Sequence, residues 1–172
     1  MNLFSKIDKF YKITTSDLGT PLVCHYTKGF NEYIFKEDEN PDSYIDGMYF
    51  TNIKYIFAYL DYGSILLEAT FPDNTHLGIV GDELEIDYSI PVICVDKCII
   101  LNAYYLAGNP GIIERLINNG ADISVYHYNV YKWAYMNCAR TWNMLISKYG
   151  IPDEVVEWIY NRNGYIRERK QR

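Results

Sequence analysis

The stretch GNPGIIERLINNGADI, Gly108 to Ile123, reads as one short helix with both of its ends written into it. Pro110 suits a first helical turn, where its missing N–H would have no partner in any case. Ile112, Ile113, Leu116 and Ile117 share one face, and Gly120 is the residue type that closes a helix in the left-handed region. Further on, YNVYKWAYMNCARTWNMLISKYG, Tyr128 to Gly150, closes in the same way. A shift of 30 sets Ile112 on Trp142, Leu116 on Ile146 and Gly120 on Gly150, which is an imperfect internal repeat two units long. Asp153 to Arg162, with Val155, Val156 and Ile159 apolar, supplies a last helix in the position of a terminal cap.

Upstream the pattern is different. Phe10, Tyr11 and Ile13 end an extended segment, and a turn over Asp17 to Pro21 leads to an expected strand, Leu22 to Thr27, closed by Lys28-Gly29. The acidic cluster Glu37, Asp38, Glu39 and Asp42 around Pro41 is loop chemistry. Gly47 to Thr51 is β-prone, and Asn52 stands as N-cap before IKYIFAYLDYG, where Ile53, Ile56, Phe57 and Leu60 form a buried face and Gly63 a stop. Strands are expected over Ser64–Phe71, ended by the turn Pro72-Asp73-Asn74, and around Leu77–Val80 and Ile90–Leu101, with the acidic DELEID between the last two. The reading is an α+β domain over 1–101, followed by an all-α segment over 102–172 that ends in a capping helix and a basic tail.

With 172 residues, 49% hydrophobic and 16% aromatic, the chain has ample material for a packed core and is not disordered on compositional grounds. The eighteen tyrosines suit broad half-buried contact surfaces, although AT-rich codons produce the same bias. A net charge of -6 argues against nucleic acid as a partner, since phosphate recognition begins with a positive surface. Only the tail, with Arg162, Arg167, Arg169, Lys170 and Arg172, is basic, and a frayed solvated end accounts for it. Cys24, Cys94, Cys98 and Cys138 show no CxxC pairing, so buried thiols and a reducing intracellular compartment are expected. There is no apolar signal sequence and no run long enough to span a membrane.

The residues GNPGIIERLINNGADI resemble the second helix and following turn of an ankyrin repeat, and YNVYKWAYMN with TWNMLISKYG looks like the next whole repeat, in the form of about 30 residues abundant in amoeba-infecting giant DNA viruses of the mimivirus type. The departures are the missing threonine-proline-leucine-histidine start, Cys138-Ala139 in place of glycine-histidine, and Asn143 at an apolar position. FYKIT, DGMYFTNIKYIFAYLDYG and ILLEATFPDNTHL are similar to the N-terminal domain that precedes such arrays. The resemblance implies a viral protein-interaction module with a protein partner in the host cytoplasm, and transfers no catalytic chemistry. Tyr126, Tyr128 and Tyr131 then fall in or just after the connecting turn, near the partner-facing edge of such arrays. With Trp133 on the first helix of its repeat they are the candidate binding residues, while Trp142 aligns with a core position.

One alternative is enzymatic. His25, Tyr49 and Glu83 or Glu85 come in the order His, Tyr, Glu, which resembles ADP-ribosyltransferases; that likeness implies NAD as cofactor, with His25, Tyr49 and Glu85 at the site. A carboxylate that stabilises an oxocarbenium-like transition state makes chemical sense. A strand histidine, a core tyrosine and an acidic loop explain the same residues without catalysis. His25, His76 and His127 are scattered singly, so no metal site is expected. Cys24 and His25 point to opposite faces of the expected strand, which removes a Cys–His nucleophile.

Overall fold

The computed structural model describes residues 9–15, 25–33, 47–80 and 92–169. The chain is α+β, and the described residues form seven strands and a 3-10 helix followed by four α-helices. Strands β1 (Phe10–Thr14), β2 (Gly29–Glu32), β3 (Met48–Phe50), β4 (Ile65–Thr70), β5 (Leu77–Val80), β6 (Val92–Val95) and β7 (Lys97–Tyr105) form two antiparallel sheets. One has the order β1-β4-β7-β2 and the other β3-β6-β5. Among the described residues they are joined in two places. β6 runs into β7 through Asp96, and Tyr11 exchanges two 2.8 Å backbone hydrogen bonds with Thr51 just past β3.

The pleat of the larger sheet divides the core. On β1, Phe10 packs with Met48, Phe50, Ile93 and Val95 between the sheets, while Tyr11 and Ile13 face the helices. On β4, Leu67 and Ala69 turn toward the second sheet and Leu66 toward the helices. This period-2 alternation in a strand buried on both faces gives three layers: helices, large sheet, small sheet.

Asn52 caps the 3-10 helix Ile53–Tyr62, its Oδ1 accepting from the Lys54 N–H at 3.0 Å. Ile56, Phe57, Ala58 and Leu60 are buried, so the expected apolar face is present although the turns are tighter than α. Gly63 is extended, at φ 167°, and its role is steric: a Cβ there would overlap the Thr14 carbonyl of β1.

Three expectations are corrected. His25 to Thr27 are not strand; β2 begins at Gly29, where the strand was expected to have closed. The Asn31 side chain fixes that entry, accepting from Thr27 N–H and donating to the Thr27 and Gly29 carbonyls, each at 2.8 Å. The single strand expected around Ile90–Leu101 is two strands in different sheets, bent at Asp96, whose carboxylate accepts from the His76 backbone N–H at 2.8 Å. Finally, the strand content does not end at 101: Asn102 to Tyr105 pair with Glu68 to Ile65, so β7 holds them in the sheet and the helices begin at Pro110.

Helices α1 (Pro110–Asn118), α2 (Val125–Asn137), α3 (Ala139–Tyr149) and α4 (Asp153–Arg169) follow. α2 packs on the 3-10 helix, α3 and α4, and α1 packs on α3. The helices thus lie in two rows, the 3-10 helix with α2 and α4 in one, α1 with α3 in the other. The Asn129 side chain donates to the Phe57 carbonyl at 3.0 Å, and Asp122 N–H to the Lys54 carbonyl at 3.0 Å, tying the second helical turn region to the 3-10 helix. Tyr126, His127 and Tyr128 open α2 in the left-handed region, with φ of 51°, 55° and 57°. One core runs from Tyr11, Ile13 and Leu66 through Phe57 and Leu60 to Ile113, Val130, Leu145 and Val155.

Candidate functional site

The residues singled out around the second turn divide sharply. Tyr126 is 48% exposed and Tyr128 is half-buried. Tyr131 is fully buried and its hydroxyl donates to the Gly150 carbonyl at 3.0 Å, while Trp133 is only 4% exposed. Tyr131 and Trp133 therefore hold α2 in the core and are not surface residues.

What the same helices do expose is aromatic. Tyr135 of α2 meets Trp142 of α3 edge-on at 5.2 Å between ring centres, and Trp158 of α4 at 6.0 Å. The Arg162 guanidinium lies 5.4 Å over the Trp158 ring. Both tryptophans are half-buried, and Met136, Tyr149, Ile151, Val156 and the 79% exposed Tyr160 add apolar surface on these helices and their connections. Trp142 thus combines packing against Tyr131 with an outward edge.

The residues of the enzymatic reading are described only in part. His25 is exposed in coil before β2, Tyr49 is half-buried on β3 with its carbonyl accepting from Lys12 Nζ at 2.9 Å, and Glu83 and Glu85 lie outside the described residues, as does Cys24. Cys94, Cys98 and Cys138 are buried thiols. Among the described residues no cluster of three or more His, Cys, Asp or Glu could hold a metal, and no helix is long and apolar enough to cross a membrane.

A second site is invisible in the sequence. Glu68 on β4 is 5% exposed, and a register shift toward β7 falls between Glu68 and Ala69. Its carboxylate faces the helices and accepts from Lys9 Nζ at 2.7 Å, Asn102 Nδ2 at 2.7 Å and the Tyr104 hydroxyl at 3.3 Å. Burial pushes the Glu68 carboxyl up, but these hydrogen bonds and the Lys9 charge outweigh it and hold it below the usual carboxylate range. The hydrogen bond to Glu68 in turn raises the Lys9 ammonium. From α1 the Arg115 guanidinium lies 4.4 Å over the Tyr104 ring and donates to its hydroxyl at 3.3 Å. These groups line a cleft of about 640 Å³ between the large sheet and α1, walled also by Tyr11, Ile53 and Leu116 and rimmed by Asn52 and Asn119. Sequence could not find it, because Lys9, Glu68, Asn102 and Arg115 are far apart in the chain and none stands in a motif.

No protein-family model matches the chain, and no solved structure matches its fold.

Proposed function

We propose that this chain is a protein-interaction module of a large DNA virus, in which ankyrin-like helices and the adjoining sheet domain together hold a surface for a host or viral protein. The observation that carries the reading is the cluster in which the exposed Tyr135 ring of α2 meets both Trp142 of α3 and Trp158 of α4 edge-on, each tryptophan half-buried. Tryptophan and tyrosine at a half-buried surface combine large apolar area with little entropy to lose, which is what interface hot spots use. The ankyrin-like part is supported by the two rows of helices and by a positive-φ glycine in the turn after each of α1 and α3, Gly120 at φ 105° and Gly150 at φ 77°. Tyr126, exposed at the start of α2, is a further candidate contact, while Tyr128 packs edge-on against the buried Tyr131.

Affinity capture from amoebal host lysate tests the reading when the wild-type chain is run beside Trp158→Ser, Tyr126→Ser and, as a control on the far side of the 3-10 helix, Tyr62→Ser. The expected result is a protein retained by wild type and Tyr62→Ser and lost with Trp158→Ser. An identical set of captured proteins from all four baits, or none from any, would overturn the reading.

A further inference from the structure

We infer that the cleft between the large sheet and α1 binds a small phosphate monoester carrying ring hydroxyls, with Arg115 on the phosphate and Glu68 on a hydroxyl. The cleft has one carboxylate, Glu68, and two cations, Lys9 and Arg115, so it holds a surplus positive charge in a chain whose net charge is -6. Lys9 is spent on Glu68. Arg115 is not spent: of its five guanidinium N–H groups, only one is used among the described residues, on the neutral Tyr104 hydroxyl. Its contact with the Tyr104 ring, 4.4 Å away, holds the guanidinium at the cleft, and a guanidinium with unused N–H groups can pair two-point with phosphate.

The floor selects a donor. Glu68 Oε2 already accepts two hydrogen bonds, from Asn102 and Tyr104, whereas Oε1 accepts one, from Lys9, and so retains acceptor capacity for a hydroxyl. Asn119 makes no side-chain hydrogen bond among the described residues, and the Asn52 carbonyl oxygen is used by the Lys54 N–H while its amide N–H2 is not. Asn119 is exposed and Asn52 half-buried at the rim of the cleft, so these groups meet solvent and are available to a ligand. Tyr11, Ile53 and Leu116 offer the apolar wall that a sugar ring lies against, and about 640 Å³ is within the size range of small-molecule sites. A metal ion does not fit, because a single carboxylate beside two cations repels it.

Calorimetric titration of the full chain with ribose 5-phosphate, inorganic phosphate, ribose and gluconate tests the assignment. Ribose 5-phosphate is expected to bind more tightly than phosphate or ribose. Arg115→Met, at an exposed position, should weaken it at least about tenfold, the loss expected when even one charge-assisted hydrogen bond is removed. Glu68→Gln should weaken ribose 5-phosphate relative to inorganic phosphate, which the lost carboxylate does not weaken, and Asn119→Ala, outside the buried network, should weaken ribose 5-phosphate without a loss of stability. Absence of binding by either phosphate at millimolar concentration, unchanged affinity in Arg115→Met, or tighter binding of gluconate than of ribose 5-phosphate would overturn it.

Discussion

Glu68 is the side chain on which burial and charge compete most directly. Its carboxyl is buried, yet its hydrogen bonds and Lys9 keep it ionised below its ordinary value of 4.5. A depressed folded value means stability that is present above the unfolded value and lost as pH falls through the folded one. Glu68→Gln should therefore lower stability by about 1.5–3 kcal/mol near neutral pH, the range for hydrogen bonds to a charged group. Unfolding titrations from pH 7 downward should show the gap to wild type closing as pH drops below the ordinary carboxylate range; a gap constant with pH would contradict this account of the site. Tyr59 makes the opposite case. Its hydroxyl is buried with no partner among the described residues, and burial pushes its ionisation up. Tyr59→Phe removes an unsatisfied group without opening a cavity, so it should raise stability by about 1 kcal/mol, measured by denaturant unfolding.

At the scale of elements, local patterns were legible where they were self-sufficient. Asn52 before an apolar face, Pro110 and Gly120 around another, and Pro72 after β4 each state their structure within a few residues, and each element is present. What could not be read depends on distant partners. β2 forms around Phe30 because β7 supplies its ladder, the bend at Asp96 depends on His76 and on the Tyr33 N–H, and Gly63 is required by a strand some fifty residues earlier in the chain. The cleft belongs to the same class, for its polar groups converge only when β1, β4, β7 and α1 are assembled. The opening of α2 shows the limit most clearly, since three consecutive non-glycine residues in the left-handed region follow no local preference and cost about 1–2 kcal/mol each. Tyr126→Gly should consequently stabilise the chain by about 1 kcal/mol, whereas glycine in a right-handed helix would cost about as much. The sign of the change in a thermal or urea melt decides between these geometries.

For the molecule as a whole, the consequence is that the helices do not stand on their own. The core that includes Ile113, Val130, Leu145 and Val155 also includes Tyr11, Ile13 and Leu66 of the large sheet, and the 3-10 helix fills the row position ahead of α2. The aromatic surface over α2, α3 and α4 is accordingly held in place by strands that do not touch it. Leu66 on β4 is fully buried and faces the helices, so Leu66→Ala should cost about 2–5 kcal/mol. All three tryptophans, Trp133, Trp142 and Trp158, lie on the helices, which makes their fluorescence a report on that half alone. The decisive measurement is urea unfolding of wild type and Leu66→Ala, followed at once by tryptophan fluorescence and by hydrogen exchange of the β4 and β7 amides. The two probes should report one coincident transition that shifts together to lower urea in the variant; strand amides that shift while the tryptophan transition stays in place would contradict an aromatic surface built on a shared core.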